Sequence, residues 1–410
     1  MWKKTGGEPM SRSGGRFRSP GETGAIVLLT SISAMFLATS SAPTPLYEVY
    51  ADRWGVSPAE TSVVFGAYAL SLLAALVVTG RLSDHVGRLV VIRCALAVQV
   101  AAMLVFALAD GVPGLLVARV LQGLSTGAGL SAVGAALLDV HPKRGRVANS
   151  AAPPLGSAFG ALGAAVLVAY APQPTRLVYV VFAVLILLQT AAVVRLPETA
   201  PRIPGAAASL RPGVRVPRPV LLPLGAALPV LFSVWALSGL FGAFGPRLAT
   251  ALTGSPSPLL GAAPIAVVGL VAPAVAISSR GVEGRPALAW GIAGLLAAAA
   301  LTATAVLTGS IWLLVVASAV AGSGFGFGFQ GGMRLVLTAT GENDRAGVLS
   351  VLYTASYLGF GGPAIALGIV FQQTGDLTGT TVGYTVFLAV LAAAAATALH
   401  RVGSDERTQS

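Results

Sequence analysis

The strongest constraint on this 410-residue chain is a succession of apolar runs of about 20 residues or more, separated by short polar connections. An α-helix rises 1.5 Å per residue, so roughly 20 apolar residues match the hydrocarbon core of a bilayer, about 30 Å thick. On that ruler the spacing predicts twelve membrane helices, near 25–44, 57–79, 89–109, 112–138, 147–171, 176–195, 219–245, 256–278, 287–308, 310–336, 346–371 and 380–400. With 55% hydrophobic and 10% charged residues, and a mean hydropathy of +0.81, so much apolar surface cannot be hidden inside one soluble domain. The net charge of +11 does not mark a nucleic-acid partner, because the bases sit in loops between apolar runs.

The longest internal connection, 197–218, is rich in proline and arginine and divides the helices six and six. The expected organisation is a basic tail (1–24), an N-terminal six-helix bundle (25–196), a linker (197–218), a C-terminal six-helix bundle (219–401) and a short tail (402–410). The tail is Gly/Ser-rich and basic, as in disordered segments. The run that follows is too long for a signal peptide. If the N-terminus is inside, 22 of the 26 lysines and arginines fall on inner segments and three, Arg53, Arg176 and Arg247, on outer ones; the last, Arg119, is inside a helix. That asymmetry places the linker and both termini in the cytoplasm. Three lysines against an excess of Arg, Ala and Gly suggest a high-GC bacterial source, so a bacterial cytoplasmic membrane is the expected location. Cys94 is the only cysteine and lies in an apolar run, which excludes an intrachain disulfide.

Between the second and third runs stands Gly80-Arg81-Leu82-Ser83-Asp84-His85-Val86-Gly87-Arg88, a hairpin of nine residues at the membrane surface. Gly80 and Gly87 permit the turn. Arg81, Asp84 and Arg88 bring both charge signs within reach of one another or of a neighbouring helix end. A plain positive-inside anchor needs the arginines, but not the Gly, Leu, Asp and Gly at fixed offsets. The spacing resembles the loop signature between the second and third helices of the major facilitator superfamily, although His85, Val86 and Leu89 depart from its usual residues. That resemblance implies an all-α membrane protein of two six-helix bundles, with Gly80, Arg81, Asp84, Gly87 and Arg88 acting as a conformational latch. The latch is expected to face the start of the eleventh helix, near Asn343-Asp344-Arg345, when the bundles close on the cytoplasmic side.

Arg119 is the charge that sits deepest in an apolar run. At helix centre it costs at least about 2.5 kcal/mol to insert, so a function is its first reading. Arg119, Gln122 and Gly123 resemble the R-x-x-Q-G signature of the same superfamily's fourth helix, which implies proton coupling or substrate binding. The alternative is an arginine that pairs with Glu48 or with a backbone carbonyl at a helix break. Such a break is expected at Pro43 and Pro45, with Tyr47 and Tyr50 beyond it at interfacial depth. All fifteen acidic residues lie in loops or near helix ends, so a coupling carboxylate would be Glu48, Asp84 or Asp139. Gln99, Trp235, Gln330, Tyr353 and Tyr357 are candidate solute-lining residues because they are polar or aromatic at depth.

Other patterns read as packing. Gly123/Gly127 and Gly156/Gly160 fit G-x-x-x-G, which lets helix backbones approach. Gly326-Phe327-Gly328-Phe329-Gln330-Gly331 follows no strand, so it is not a dinucleotide site. Gly322, Gly324, Gly326 and Gly328 align with Gly123, Ser125, Gly127 and Gly129 at an offset of 199, which suggests an internal duplication. The fifth-helix G-P-x-x-G-G signature of superfamily antiporters is degraded in Pro153-Pro154-Leu155-Gly156. No metal-ligand or nucleophile motif appears, so no cofactor, metal or enzymatic activity is expected.

These residues lead to a secondary active transporter that moves a small amphipathic or weakly polar solute by alternating access. A monomer in the lipid bilayer is expected, with protons as coupling ion. The segment Thr44-Pro45-Leu46-Tyr47 resembles bacterial efflux permeases, which favours export of drugs or metabolites. Nutrient uptake, and a non-transporting receptor or scaffold of the same fold, are the alternatives.

Overall fold

In the computed structural model, residues 21–200, 203–210, 216–341 and 344–409 are described, and among them there is no strand. Among the described residues, twelve helices are long and apolar enough to cross a membrane. The first half contains α1 (Glu22–Ser41), α2 (Pro58–Thr79), α3 (Arg88–Leu108), α4 (Val112–Val140), α5 (Pro142–Tyr170) and α6 (Pro174–Val193). The second contains α7 (Leu221–Thr253), α8 (Pro258–Ser278), α9 (Gly284–Thr308), α10 (Ile311–Thr338), α11 (Arg345–Thr374) and α12 (Leu377–Gln409). Successive helices run in alternate directions. One end of the molecule therefore carries the Gly80–Arg88 loop, the linker and the last turn of α12, and is termed the linker end. The opposite end is termed the far end.

The starts of the helices follow local chemistry. Ser57 and Glu60 form a reciprocal capping box at the head of α2: the Glu60 N–H donates to Ser57 Oγ and the Ser57 N–H to Glu60 Oε2. Pro58, Pro142, Pro174 and Pro258 each open a helix, at the position where a missing N–H costs nothing.

Several boundaries differ from the sequence expectation. α5 begins at Pro142 rather than 147, because His141 caps it by accepting from the Arg144 N–H and draws the basic residues into its first turns. α7 continues through Pro246 to Thr253, as prolines inside membrane helices often permit. α12 runs on to Gln409, so residues 402–409, expected as a tail, extend the last helix. Residues 1–20 of the expected basic tail, and 201–202 and 211–215 of the linker, lie outside the described residues. The first span is two helices, since α1 stops at Ser41 and a 3-10 turn, Thr44–Leu46, leads to a helix Tyr47–Trp54. Tyr47 and Tyr50 were expected at interfacial depth, yet both point into the bundle and are buried, because each finds a hydroxyl or cation there.

Small residues set the helix spacing. A side chain on Gly123 or Gly127 of α4 would collide with the Tyr68 or Leu72 carbonyl of α2, and one on Gly156 or Gly160 of α5 with the Ala34 or Ala38 carbonyl of α1. The second half repeats the first of these contacts. Gly322 and Gly326 of α10 meet the Val268 and Ala272 carbonyls of α8, at offsets of 199 and 200 residues from their counterparts. The duplication legible in the glycines is thus also a duplication of backbone contacts.

Candidate transport site and gates

The broken first span explains the buried arginine. Pro43 has no N–H to give, so the carbonyl of Thr39, four residues back, loses its helical partner. Gln122 Nε2 on α4 donates to that carbonyl at 2.9 Å, and Arg119 Nη1 donates to the neighbouring Ser40 carbonyl at 2.8 Å. Arg119 and Gln122 are three residues apart and face the same way. Arg119 Nη1 also donates to Gln122 Oε1 at 2.7 Å, and Nη2 donates to the Tyr47 hydroxyl. The guanidinium is 0% exposed and lies 5.5–5.9 Å from the ring centroids of Tyr47, Tyr68 and Phe106. Among the described residues no carboxylate pairs with it, so carbonyls and aromatic faces carry its charge. Of the partners that the sequence offered Arg119, the structure supplies the backbone carbonyl and not Glu48.

Gln99 of α3 joins this network and does not line a cleft, since its Nε2 donates to Thr39 Oγ1 at 2.6 Å. Among the described residues, two buried polar atoms of the network, Arg119 Nε and Gln99 Oε1, have no hydrogen-bond partner. Buried groups of this kind ordinarily hold water or a ligand.

The two halves meet at the far end and at mid-height. Arg247 Nε of α7 donates to Glu48 Oε1 at 3.2 Å, and its guanidinium lies 5.5 Å from the centre of the Phe371 ring on α11. The Ala59 N–H of α2 donates to Gln372 Oε1 of α11 at 3.1 Å. Below these, Gly66 packs on Gly361 and Ile365, Gly368 packs on Pro58 and Ser62, and the Phe65 and Phe360 rings stand 4.9 Å apart. Gly269 of α8 meets the Pro154 carbonyl of α5 near mid-height. At the linker end, among the described residues, no comparable packing joins α4 or α5 to α10 or α11. Among the described residues, the polar contacts between the halves thus lie at the far end, while toward the linker end the halves touch through apolar and aromatic packing of α2 on α11.

Near mid-height lies an aromatic cluster. The Trp235 ring of α7 is 5.1 Å from Phe325 and 6.3 Å from Phe329 of α10, and 5.1 Å from Tyr357 and 5.4 Å from Phe360 of α11. Tyr353 packs beside Tyr68, Leu72 and Tyr357, where the halves touch. Among the described residues Trp235 Nε1 is buried without a partner. Gln330 instead pins α10 to α8, its Nε2 donating to the Ala276 carbonyl at 2.6 Å. Of the five solute-lining candidates the structure therefore gathers Trp235, Tyr353 and Tyr357, and sends Gln99 and Gln330 into packing within a bundle.

The Gly80–Arg88 loop contains a short helix, Leu82–Val86. Gly80 keeps a helical φ of −56°, so only Gly87, at φ +103°, needs the freedom of glycine. Arg88 Nη1 donates to Asp84 Oδ1 and to Ser83 Oγ, and Nε to Asp139 Oδ2 of α4 at 3.3 Å. Glu198 of the linker accepts from the Arg88 N–H at 2.7 Å and the Leu89 N–H at 3.1 Å, an anion set on the N-terminus of α3. Ile203 N–H donates to the His85 carbonyl at 3.0 Å. The loop is thus clamped to α4 and to the first part of the linker, and Arg81 stands exposed at the head of the short helix. Asp84, expected to face the start of α11, is paired here with Arg88, and Asn343 lies outside the described residues.

Asp139 and Glu198 are partners that sequence reasoning missed, as are Tyr47 and Thr39. Their signals were faint: acids at the ends of segments flanking an arginine loop, and carbonyls freed by Pro43.

The model of the Major Facilitator Superfamily matches residues 27–362. The chain belongs to the major facilitator superfamily. Membership makes it a membrane transporter of small solutes and not an enzyme. Superfamily folds of known structure resemble it over nearly its whole length. A bacterial homologue of the human lysosomal transporter Spinster, inward-facing and unoccupied, is 16% identical with a TM-score of 0.73, covering 93% of this chain and 97% of that one. The POT family transporter PepTSo is 13% identical with a TM-score of 0.72, covering 92% and 98%. The nucleoside transporter NupG is 13% identical with a TM-score of 0.69, covering 91% and 99%. At such identities the likeness shows the superfamily fold alone. No curated protein matches the chain.

Proposed function

We propose that this superfamily member is a proton-coupled exporter that moves a small amphipathic or weakly polar solute out of a bacterial cell by alternating access. The observation that carries the reading is the asymmetry of the contacts between the halves: an ion pair and a hydrogen bond join them at the far end, and among the described residues no comparable packing joins α4 or α5 to α10 or α11 at the linker end. Among the described residues most of the lysines and arginines at helix ends and loops lie on the linker side and only Arg53, Arg176 and Arg247 at the far end, so the linker side is the cytoplasm, and this arrangement is the inward-open state. Both termini are then cytoplasmic, and the membrane is the bacterial cytoplasmic membrane. One copy holds both bundles, so a monomer suffices.

The site supports an amphipathic solute. The Trp235 cluster offers aromatic faces for an apolar body, and Trp235 Nε1 offers an unused donor for one polar group. Protons act at Glu48, whose protonation removes the ion pair with Arg247 and loosens the far-end seal on the side from which protons arrive. Closure of the linker end then brings the Gly80–Arg88 latch against α11. Retention of that latch sets the chain apart from a static scaffold.

Transport into everted membrane vesicles, with a solute panel and with or without an acid-inside proton gradient, tests the proposal. Accumulation that collapses with the gradient is the expected result. Accumulation confined to right-side-out vesicles would make the chain an uptake permease, and transport of no solute in either orientation would leave a receptor or scaffold.

A further inference from the structure

A groove of about 420 Å³ lies between α9 and α12 at the linker end, away from the contact between the bundles. Its walls are Arg285, Ala289 and Ile292 from α9, at helical spacings of four and three, and Ala396, Leu399 and His400 from α12. Both polar residues stand at the linker end of the groove and the aliphatic ones deeper. Ile292 lies about 10 Å below Arg285 at 1.5 Å per residue. The groove thus runs from basic to apolar along the membrane normal. Among the described residues neither Arg285 nor His400 has a hydrogen-bond or ion-pair partner, whereas Arg280 donates to the Ile277 carbonyl and Arg401, next to His400, is engaged. Glu283, the acid nearest in sequence, is exposed and lies outside the lining. Beside the groove the outer faces of the same two helices are apolar and open: Trp290 is 63% exposed, and Val386, Phe387 and Val390 are exposed as well. Surface of that composition in a twelve-span protein faces lipid.

From this we infer a binding site for one anionic phospholipid, its phosphate held by Arg285 and His400 and an acyl chain lying along Ala289, Ile292 and Ala396. Charge decides the occupant. An unpaired guanidinium at headgroup depth attracts an anionic headgroup, and the dry floor below it accepts only hydrocarbon. A zwitterionic lipid supplies the chain without the net charge, and a free phosphate supplies the charge without the chain. The site touches neither Arg119 nor the Trp235 cluster, so it does not depend on the identity of the transported solute.

The test is native mass spectrometry of the purified full-length protein titrated with phosphatidylglycerol, phosphatidylcholine or glycerol phosphate, together with its melting temperature in each. Wild type is expected to retain one phosphatidylglycerol and to bind it at least about tenfold more tightly than phosphatidylcholine, and to gain thermal stability from it. Arg285→Ala combined with His400→Ala should remove that preference. Ala289→Trp, a change at an exposed position, should fill the groove and abolish the bound lipid while leaving the lipid-free melting temperature unchanged. Equal retention by wild type and both variants, equal affinity for the two lipids, or binding of glycerol phosphate as tight as that of the lipid would overturn the inference. So would a dimer of wild type that Ala289→Trp dissociates, since the groove would then hold a second copy.

Discussion

Glu48 and Arg247, 199 residues apart in the chain, form an ion pair with Arg247 Nε 3.2 Å from Glu48 Oε1, and so tie the N-terminal bundle to the C-terminal one at the far end. Both side chains are about three-quarters buried, with 24% and 23% exposed, so water screens the pair only in part. Because the partners sit on different bundles, the pair exists only while the far end is shut.

Glu48→Gln keeps the shape and removes the charge. A partly exposed pair contributes about 1 kcal/mol, which is a shift of roughly fivefold in the balance between far-end-closed and far-end-open states. Cysteines placed beside Pro58 and Phe244 should therefore react faster with a membrane-impermeant thiol reagent, in a background lacking Cys94. Unchanged labelling would show that the pair does not hold the seal.

Arg119→Ala should reduce stability as well as transport. From the sequence, removing an inserted charge is expected to leave folding unharmed. The geometry argues otherwise, because the Ser40 carbonyl, Gln122 and the Tyr47 hydroxyl all accept from this guanidinium. Leaving such a carbonyl unsatisfied costs about 1–3 kcal/mol. Arg119→Lys has one nitrogen in place of a fork and should restore only part of it. A melting temperature for the alanine variant equal to wild type would contradict the capping role.

Pro43→Ala should restore an N–H to the Thr39 carbonyl and compete with Gln122 for it. A more continuous first span is expected to raise thermal stability while slowing turnover, since Gln122 loses the carbonyl that orients it and, through Gln122 Oε1, Arg119. Turnover at the wild-type rate would mean that the break is incidental.

Gly368→Val should oppose closure of the far end. A Cβ there meets Ser62 and the Pro58 carbonyl across the bundle interface, and backbone cannot step aside as a flexible side chain does. Accessibility from the far side should rise, as with Glu48→Gln, and by more. The matched control is Gly362→Val, where a Cβ meets nothing within 4 Å.

How much was legible in the sequence differs between the fold and the site. Helix number and the six-and-six division follow from apolar run length alone, because lipid leaves a chain few ways to satisfy its backbone. The glycine contacts between α4 and α2, and between α10 and α8, were readable as small residues at a spacing of four. Arg119 was conspicuous as a charge at depth, but not its acceptors on the first span, Ser40 and Tyr47, which lie 79 and 72 residues away in a segment whose rotation no local pattern fixes. Glu48 and Arg247 were each visible near a helix end, yet their pairing depends on how two separately folded bundles dock. Gln99 and Gln330 show the limit of picking polar residues by depth, since each spends its amide inside its own bundle.

The central claim is that the seal between Ala59 and Gln372 must open for each cycle of transport. The most direct measurement replaces both with cysteine in a Cys94→Ser background, joins them with a short thiol-to-thiol crosslinker cleavable by reductant, and follows transport of the solute identified in everted vesicles. The account predicts that crosslinking stops transport and that reduction restores it. Undiminished transport by fully crosslinked protein would contradict alternating access through this gate.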